Sequence, residues 1–113
     1  MTVSELARQL NLEALTPDPD GRAVTGGYTG DLLSWVMARL APGSAWITVM
    51  GSLNAVAVAV LTDAACVILA EGAPFDEDAR ERALREGVPV LQSGEPAFRL
   101  AARLAALLDT DAR

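Results

Sequence analysis

The polar residues best placed to do chemistry lie in three short stretches, each at the end of an apolar or glycine-containing run. Backbone N–H groups of glycine-rich loops can cradle a phosphate, and a carboxylate at such a place can bind a metal or accept hydrogen bonds. We therefore consider these residues as a candidate ligand site. The candidates are Gly26, Gly27, Tyr28, Gly51, Ser52, Asn54, Glu71 and Gly72.

Each stretch also has a purely structural interpretation. The glycines from Gly26 to Gly30 lack the full dinucleotide fingerprint and a phosphate-loop lysine, and Asp31 places a negative charge where an anion would sit. They would then serve a close-packed turn. Ser52 or Asn54 would cap a helix, and Glu71 would be a solvated loop acid.

The residues that are absent exclude much of enzyme chemistry. The chain has no His, no Lys and a single Cys, Cys66. A serine or cysteine nucleophile would lack an imidazole base, and a zinc site would lack its usual ligands. We expect no catalytic residue, no metal and no cofactor. The remaining enzyme hypothesis is a metal-assisted hydrolase using Asp31, Asp63 and Glu71, although no ligand spacing supports it.

The net charge and the lack of targeting signals indicate which partners and which cell compartment to expect. The formal charge of −6 over 113 residues disfavours nucleic acid, and the fragment SELARQLNL, which is similar to a helix-turn-helix start, is followed by no basic recognition helix. The uncharged run from Leu40 to Thr62 is broken by Pro42, Gly43 and Gly51, so we expect no membrane span. No signal peptide is recognised, and one Cys forms no internal disulfide. These features predict a cytoplasmic protein.

The candidate residues must be positioned by a repeated strand and helix pattern. A capping box at Thr2 and Glu5 opens a first helix, and Asp31 is expected to cap the second. The segment Asn54 to Leu61 alternates Ala with Val, a pattern that fits either a strand or a helix. A parallel pair of strands needs a crossover connection, which favours the helix. The expected helices are Val3 to Asn11, Leu32 to Leu40, Asn54 to Leu61, one from Asp76 to a cap at Gly87, and one with Pro96 in its first turn. The expected strands are Leu12 to Thr16, Val24 to Tyr28, Ala45 to Met50, Cys66 to Ala70 and Val88 to Leu91.

This alternation predicts one domain of α/β class, a three-layer α/β/α arrangement around a mainly parallel sheet. In such sheets ligands bind beyond the carboxyl ends of the strands. The loops Gly26 to Asp31, Gly51 to Asn54 and Glu71 to Pro74 should therefore meet at one edge. Cys66 is expected to be a core residue, and Trp35 and Trp46 core or dimer-interface residues.

Three segments together resemble the DRTGG domain family, in particular its short stand-alone members. The segments are VTGGYTGDLLSWVM, APGSAWITVMGSLNAVAVAVLTDAACVILAEG and GVPVLQSGEPAF. The resemblance extends from about Val3 to Leu108. It implies an α/β/α fold similar to the N-terminal domain of HPr kinase/phosphorylase, which is not the catalytic domain, and so it implies no kinase activity.

The two loops that name this family are altered here. Gly51-Ser52-Leu53-Asn54 stands where the family has Gly-Asp-Arg followed by an acid, and Ala70-Glu71-Gly72 stands where it has Thr-Gly-Gly. Only Gly51 and Gly72 are retained. The family's domains are fused to phosphotransacetylases and inserted, with CBS domains, in pyrophosphatases, where they are regulatory and associated with adenine nucleotides and diadenosine polyphosphates. Some stand-alone members are encoded near iron hydrogenase or anti-sigma components.

The sequence and the resemblance lead to two expected functions. The first is a non-enzymatic regulatory or adaptor domain that acts as a homodimer on a partner protein or enzyme complex, such as a redox or signalling complex. In that dimer the Ala/Val helix or the Leu107-Leu108 end would bury apolar surface. The second is a sensor that binds an adenine nucleotide or diadenosine polyphosphate at the strand-end loops.

Overall fold

A computed structural model describes residues 1–111. Five helices and five strands follow one another in the predicted order. The helices are α1 (Val3–Gln9), α2 (Leu33–Arg39), α3 (Leu53–Thr62), α4 (Glu77–Glu86) and α5 (Ala97–Asp111), and the strands are β1 (Glu13–Thr16), β2 (Gly26–Thr29), β3 (Ser44–Thr48), β4 (Cys66–Leu69) and β5 (Val90–Gln92). No helix among these residues is long and apolar enough to cross a bilayer.

The strands form one sheet in the order β1-β5-β4-β3-β2. β2, β3, β4 and β5 are parallel, and β1 pairs with β5 in the antiparallel direction. The prediction of a mainly parallel sheet is therefore confirmed. Pro89 directly precedes β5, where its missing N–H does not interrupt the ladder.

Helices cover both faces of the sheet, which confirms the three-layer arrangement. On one face α2, α3 and α4 pack against Trp46, Val67 and Leu69. On the other, α1 and α5 pack against Ile47 and Ile68. Consecutive side chains of β3 and β4 point to opposite faces, and every residue of both strands is buried between the layers.

The Ala/Val segment is a helix, as the crossover argument predicted. Ser52 caps its start, and Asp63 ends it in the left-handed conformation with φ 58°. Its residues Ala55, Val56 and Ala59 are buried within the chain. These residues of α3 belong to the chain's own core, whereas Leu61 on the same helix is exposed.

Candidate functional site

The carboxyl ends of β2, β3, β4 and β5 lie at one edge of the sheet, which we call the rim. The loops that leave these strands are residues 30–32, 49–52, 70–76 and 93–96. Because neighbouring strands are hydrogen-bonded in register, these loops are neighbours although they are far apart in the sequence. The rim therefore brings together the loops of Ser52 and Glu71, as expected.

Asp31 binds across the rim and does not cap α2. Leu32 occupies the cap position and makes no side-chain hydrogen bond. One carboxylate oxygen of Asp31 accepts from Thr48 Oγ1 at 2.7 Å and from the Val49 N–H at 2.9 Å. The expectation that Asp31 caps the helix was wrong, because the buried Thr48 hydroxyl at the end of β3 offers it a longer-range donor. Asp31 thus fixes the exit of β2 onto the exit of β3.

Ser52 and Gly51 of the second stretch have structural roles. Ser52 Oγ accepts from the Ala55 N–H at 3.3 Å and caps α3. Asn54 lies exposed in the first turn of that helix. A Cβ atom on Gly51 would lie 1.9 Å from the Pro74 carbonyl oxygen, so only glycine fits between these loops. This confirms the capping interpretation of Ser52.

Glu71 and Gly72 connect the rim to the start of α5. Both have left-handed backbone, with φ of 60° and 67°. The Glu71 N–H donates to the Glu95 carbonyl at 2.8 Å, and the Gly72 N–H donates to the Ser93 carbonyl at 2.9 Å. A Glu71 carboxylate oxygen accepts from the Ala97 N–H at 3.4 Å. The Glu71 side chain therefore stabilises a helix N-terminus with its negative charge.

The first stretch belonged both to the predicted strand Val24 to Tyr28 and to the predicted loop Gly26 to Asp31, and the structure places most of it in the strand. Gly26, Gly27 and Tyr28 lie within β2, and only Gly30 to Leu32 form its exit. Strand pairing places Gly26 opposite Ser44 and Tyr28 opposite Trp46. A glycine-rich phosphate cradle after the strand is thus absent from this position. The glycine residues serve close packing instead.

Gly27 and Tyr28 nevertheless border a cavity of about 210 Å³ between β2 and α5. A Cβ atom on Gly27 would lie 2.9 Å from Leu104 Cδ2, so the missing side chain lets α5 approach the strand. Leu104 and Leu108 form the apolar wall opposite β2. The cavity is smaller than the roughly 300 to 1,000 Å³ of common ligand pockets.

The three acids of the hydrolase hypothesis do not lie together. Asp31 and Glu71 lie at the rim, but Asp63 follows α3 at the opposite end of the strands and pairs with Arg22 at 3.0 Å. Within residues 1–111 no three acidic, Cys or His side chains group as metal ligands do. The hydrolase hypothesis that combined Asp31, Asp63 and Glu71 was therefore wrong. Glu95 forms an ion pair with Arg103.

The single cysteine and the two tryptophans have different surroundings. Cys66 is fully buried, and burial raises the pKa of its thiol to about 12, with Asp18 adding to the rise and Arg22 opposing it. It is an unreactive core residue, as expected. Trp46 is also fully buried and donates from Nε1 to the Gly30 carbonyl at 2.9 Å. Trp35 is 55% exposed.

Sequence reasoning missed two of the residues that shape the rim. Thr48 and Trp46 were assigned only to a buried strand, but their polar atoms bind the exit of β2 through Asp31 and Gly30. The signal was a hydroxyl and an indole N–H in an otherwise apolar strand, since buried polar groups require partners.

Comparison with known proteins supports the fold. No protein-family model matches the chain, and no curated protein matches its sequence. The structure is similar to the crystal structure of the CBS and DRTGG domains of the regulatory region of Clostridium perfringens pyrophosphatase, complexed with the activator diadenosine tetraphosphate. The TM-score is 0.71 at 12% sequence identity, over 89% of this chain and 44% of that chain. The chain thus shares its α/β fold with part of a regulatory region.

Proposed function

We propose that residues 1–113 form a single, DRTGG-type regulatory or adaptor domain that has no catalytic activity and binds no cofactor. It acts in the cytoplasm as a homodimer on a partner protein or enzyme complex. One observation carries this proposal. The rim, where α/β domains hold their ligands and catalytic groups, is occupied by the chain's own hydrogen bonds, in which Asp31, Ser52 and Glu71 all serve as acceptors.

The fold and the charge support the same function. The structural neighbour is part of a regulatory region, and this chain spans 44% of it. A regulatory domain acts by contact with the protein or enzyme domain that it regulates. The formal charge of −6 disfavours nucleic acid as that partner.

The proposal is tested by capturing a partner from the native host and adding the purified chain back to it. We expect the partner's activity to change in proportion to the chain added, with saturation. Gly51→Val is the control for non-specific capture, because its side chain would collide with the Pro74 carbonyl and disrupt this part of the rim. A partner activity that stays constant at saturating chain, or substrate turnover by the chain alone, would contradict the proposal.

A second candidate function is sensing of an adenine nucleotide. It is supported by the diadenosine tetraphosphate bound to the structural neighbour and by the cavity beside Gly27 and Tyr28. The negative charges of Asp31 and Glu71 at the rim oppose polyphosphate binding there.

Thermal unfolding with AMP, ATP or diadenosine tetraphosphate separates the two functions. A ligand present at about 100 times its dissociation constant stabilises the folded state by roughly 2.7 kcal/mol, which raises Tm by several degrees. A sensor should show this rise, and a Gly27→Leu variant, whose side chain would enter the cavity, should lose it. Unchanged Tm with all three ligands would exclude the sensor and leave the adaptor proposal standing.

A further inference from the structure

The outer edge of β2 has unused main-chain hydrogen-bonding groups. β2 is the last strand of the sheet on its side and pairs with β3 alone. The Gly30 N–H donates to the Ile47 carbonyl at 3.2 Å, and main-chain groups alternate in direction along a strand. The N–H and C=O groups of Gly27 and Thr29 therefore point away from β3. No loop or side chain of residues 1–111 hydrogen-bonds to them. Such an edge can accept another strand.

This edge also lacks the features that keep other strands away. Residues 25–30 contain no charged residue and no proline, and the pairing of the N-terminal segment with Ala23 and Val24 stops before them. The pairing of β2 with β3 runs without a register shift, so no bulge distorts the edge. The chain has a formal charge of −6, which makes two copies repel each other over most of their surface. The neutral β2 edge is a place where two copies can approach without bringing like charges together.

We propose that two copies of the chain join along β2, in antiparallel orientation, about a two-fold axis at Tyr28. This inference rests on the homodimer of the proposed function and names its interface. Gly27 then lies opposite Thr29 of the second copy, and Thr29 lies opposite Gly27. Each of these pairs exchanges both main-chain hydrogen bonds, because directly opposed residues of an antiparallel ladder alternate between bonded and non-bonded pairs. The strand is complementary to itself, as a two-fold interface requires.

The surfaces beside β2 supply the apolar area that the short strand lacks. β2 has four residues, whereas a stable interface buries about 800 Å² on each partner. On one face of the sheet, Leu32 and Trp35 follow β2 and are 61% and 55% exposed. On the other face, the cavity walled by Leu104 and Leu108 opens beside the strand. Both faces can thus contribute apolar contacts to a joined sheet.

Sedimentation velocity over about 1 to 100 µM, the range around a standard dimer interface, tests the pairing with two variants of one residue. Thr29→Pro removes the outward N–H, which an edge strand tolerates in the monomer. Thr29→Val keeps that N–H and is the matched control. By symmetry Thr29→Pro removes one hydrogen bond from each of the two pairs. We therefore expect the dissociation constant of its dimer to be about 30-fold higher than that of Thr29→Val.

A second variant and a measurement on the unmodified chain protect the test against misfolding. Thr29→Glu keeps the N–H but places two like charges at the interface, so we expect a weaker dimer whose loss is partly reversed by salt. In the unmodified chain, the amide hydrogens of Gly27 and Thr29 should exchange slowly at high protein concentration and rapidly on dilution.

The outcomes distinguish the interface from the function. If Thr29→Pro is folded and dimerises as tightly as Thr29→Val, the interface lies elsewhere, and the β2 pairing is overturned while the homodimer stands. If the unmodified chain is a monomer at the upper end of this range, about 100 µM, and the amide hydrogens of Gly27 and Thr29 exchange rapidly there, the β2 pairing and the homodimer are overturned together. The effect of the chain on the activity of a captured partner is measured separately and would still test the adaptor role.

Discussion

β1 and β2 are the two outer strands of the same sheet, and only β1 carries features that oppose the addition of another strand. The register of β1 shifts between Ala14 and Thr16, and Glu13 is exposed on it. Arg80 of α4 donates from Nη1 to the Leu15 carbonyl at 2.8 Å and covers the strand with a charged side chain. β2 has none of these features, so the two edges differ in what they can bind.

The two edges also differ in how they are held to the sheet. At the irregular end of β1, the Thr16 side chain replaces regular main-chain pairing. Its Oγ1 donates to the Val88 carbonyl and accepts from the Val90 N–H, both at 2.7 Å. β2 is held by regular parallel pairing and by Asp31 at its exit. β1, the protected edge, is thus held to the sheet partly by side-chain hydrogen bonds, whereas β2, the open edge, is held mainly by main-chain pairing.

The largest expected effect comes from making the same substitution at both edges. Thr16→Val leaves the buried Val88 carbonyl and Val90 N–H without a partner, so we expect the free energy of unfolding to fall by about 2 to 4 kcal/mol. Thr29→Val changes an exposed side chain, and we expect less than about 0.5 kcal/mol. Urea unfolding of both variants measures the difference. Equal losses would show that side-chain pairing does not distinguish the edges.

The dependence of stability on alkaline pH tests the burial of Cys66 in the central strand β4. Cys66 of β4 has its pKa raised to about 12 from an ordinary 9.0. Below pH 9 the thiol is protonated in the folded and unfolded states. Above it the unfolded chain loses this proton first, so stability should fall by roughly 1 kcal/mol per pH unit up to about pH 12. The slope should be absent in Cys66→Ala, and a slope that persists there would assign it to another group.

A smaller loss is expected when the exit of β2 is released. Asp31→Ala removes the acceptor for Thr48 Oγ1 and the Val49 N–H, and we expect a loss of about 1 to 2 kcal/mol because the site is partly exposed. Asp109→Ala, an exposed acid on α5, is the control. If the two variants unfold at the same urea concentration, Asp31 does not hold this edge.

The smallest expected effect concerns the cover of β1. Arg80→Met keeps an apolar stem beside Phe75, whose ring lies 5.5 Å from the guanidinium, but removes the hydrogen bond to Leu15. We expect a loss of about 1 kcal/mol. Arg85→Met, on the exposed part of the same helix, should change stability by less than half as much. A reversed order would show that Arg80 does not stabilise the edge.

The elements could be predicted because their signals are local. Thr2 Oγ1 accepts from the Glu5 N–H as the capping box predicts, although the Glu5 carboxylate accepts from the Thr2 hydroxyl and not from a backbone N–H. Gly87 ends α4 in the left-handed conformation, also as predicted. The helical assignment of α3 needed the crossover argument, since its alternating residues fit either structure. Asp31 shows where local reasoning fails, because its neighbour Leu32 suggested a helix cap while its partner Thr48 is 17 residues away.

The sequence by itself determined the class of the protein. The absence of His and Lys removes most catalytic chemistry whatever the fold, and the alternation of strand and helix signals dictates parallel strands that share a rim. Only the tertiary structure decided that the rim's polar groups bind the chain's own backbone and that Gly27 and Thr29 face an open edge. Such facts depend on contacts between distant segments, and residue types specify how many hydrogen bonds a group can make but not which partner satisfies them.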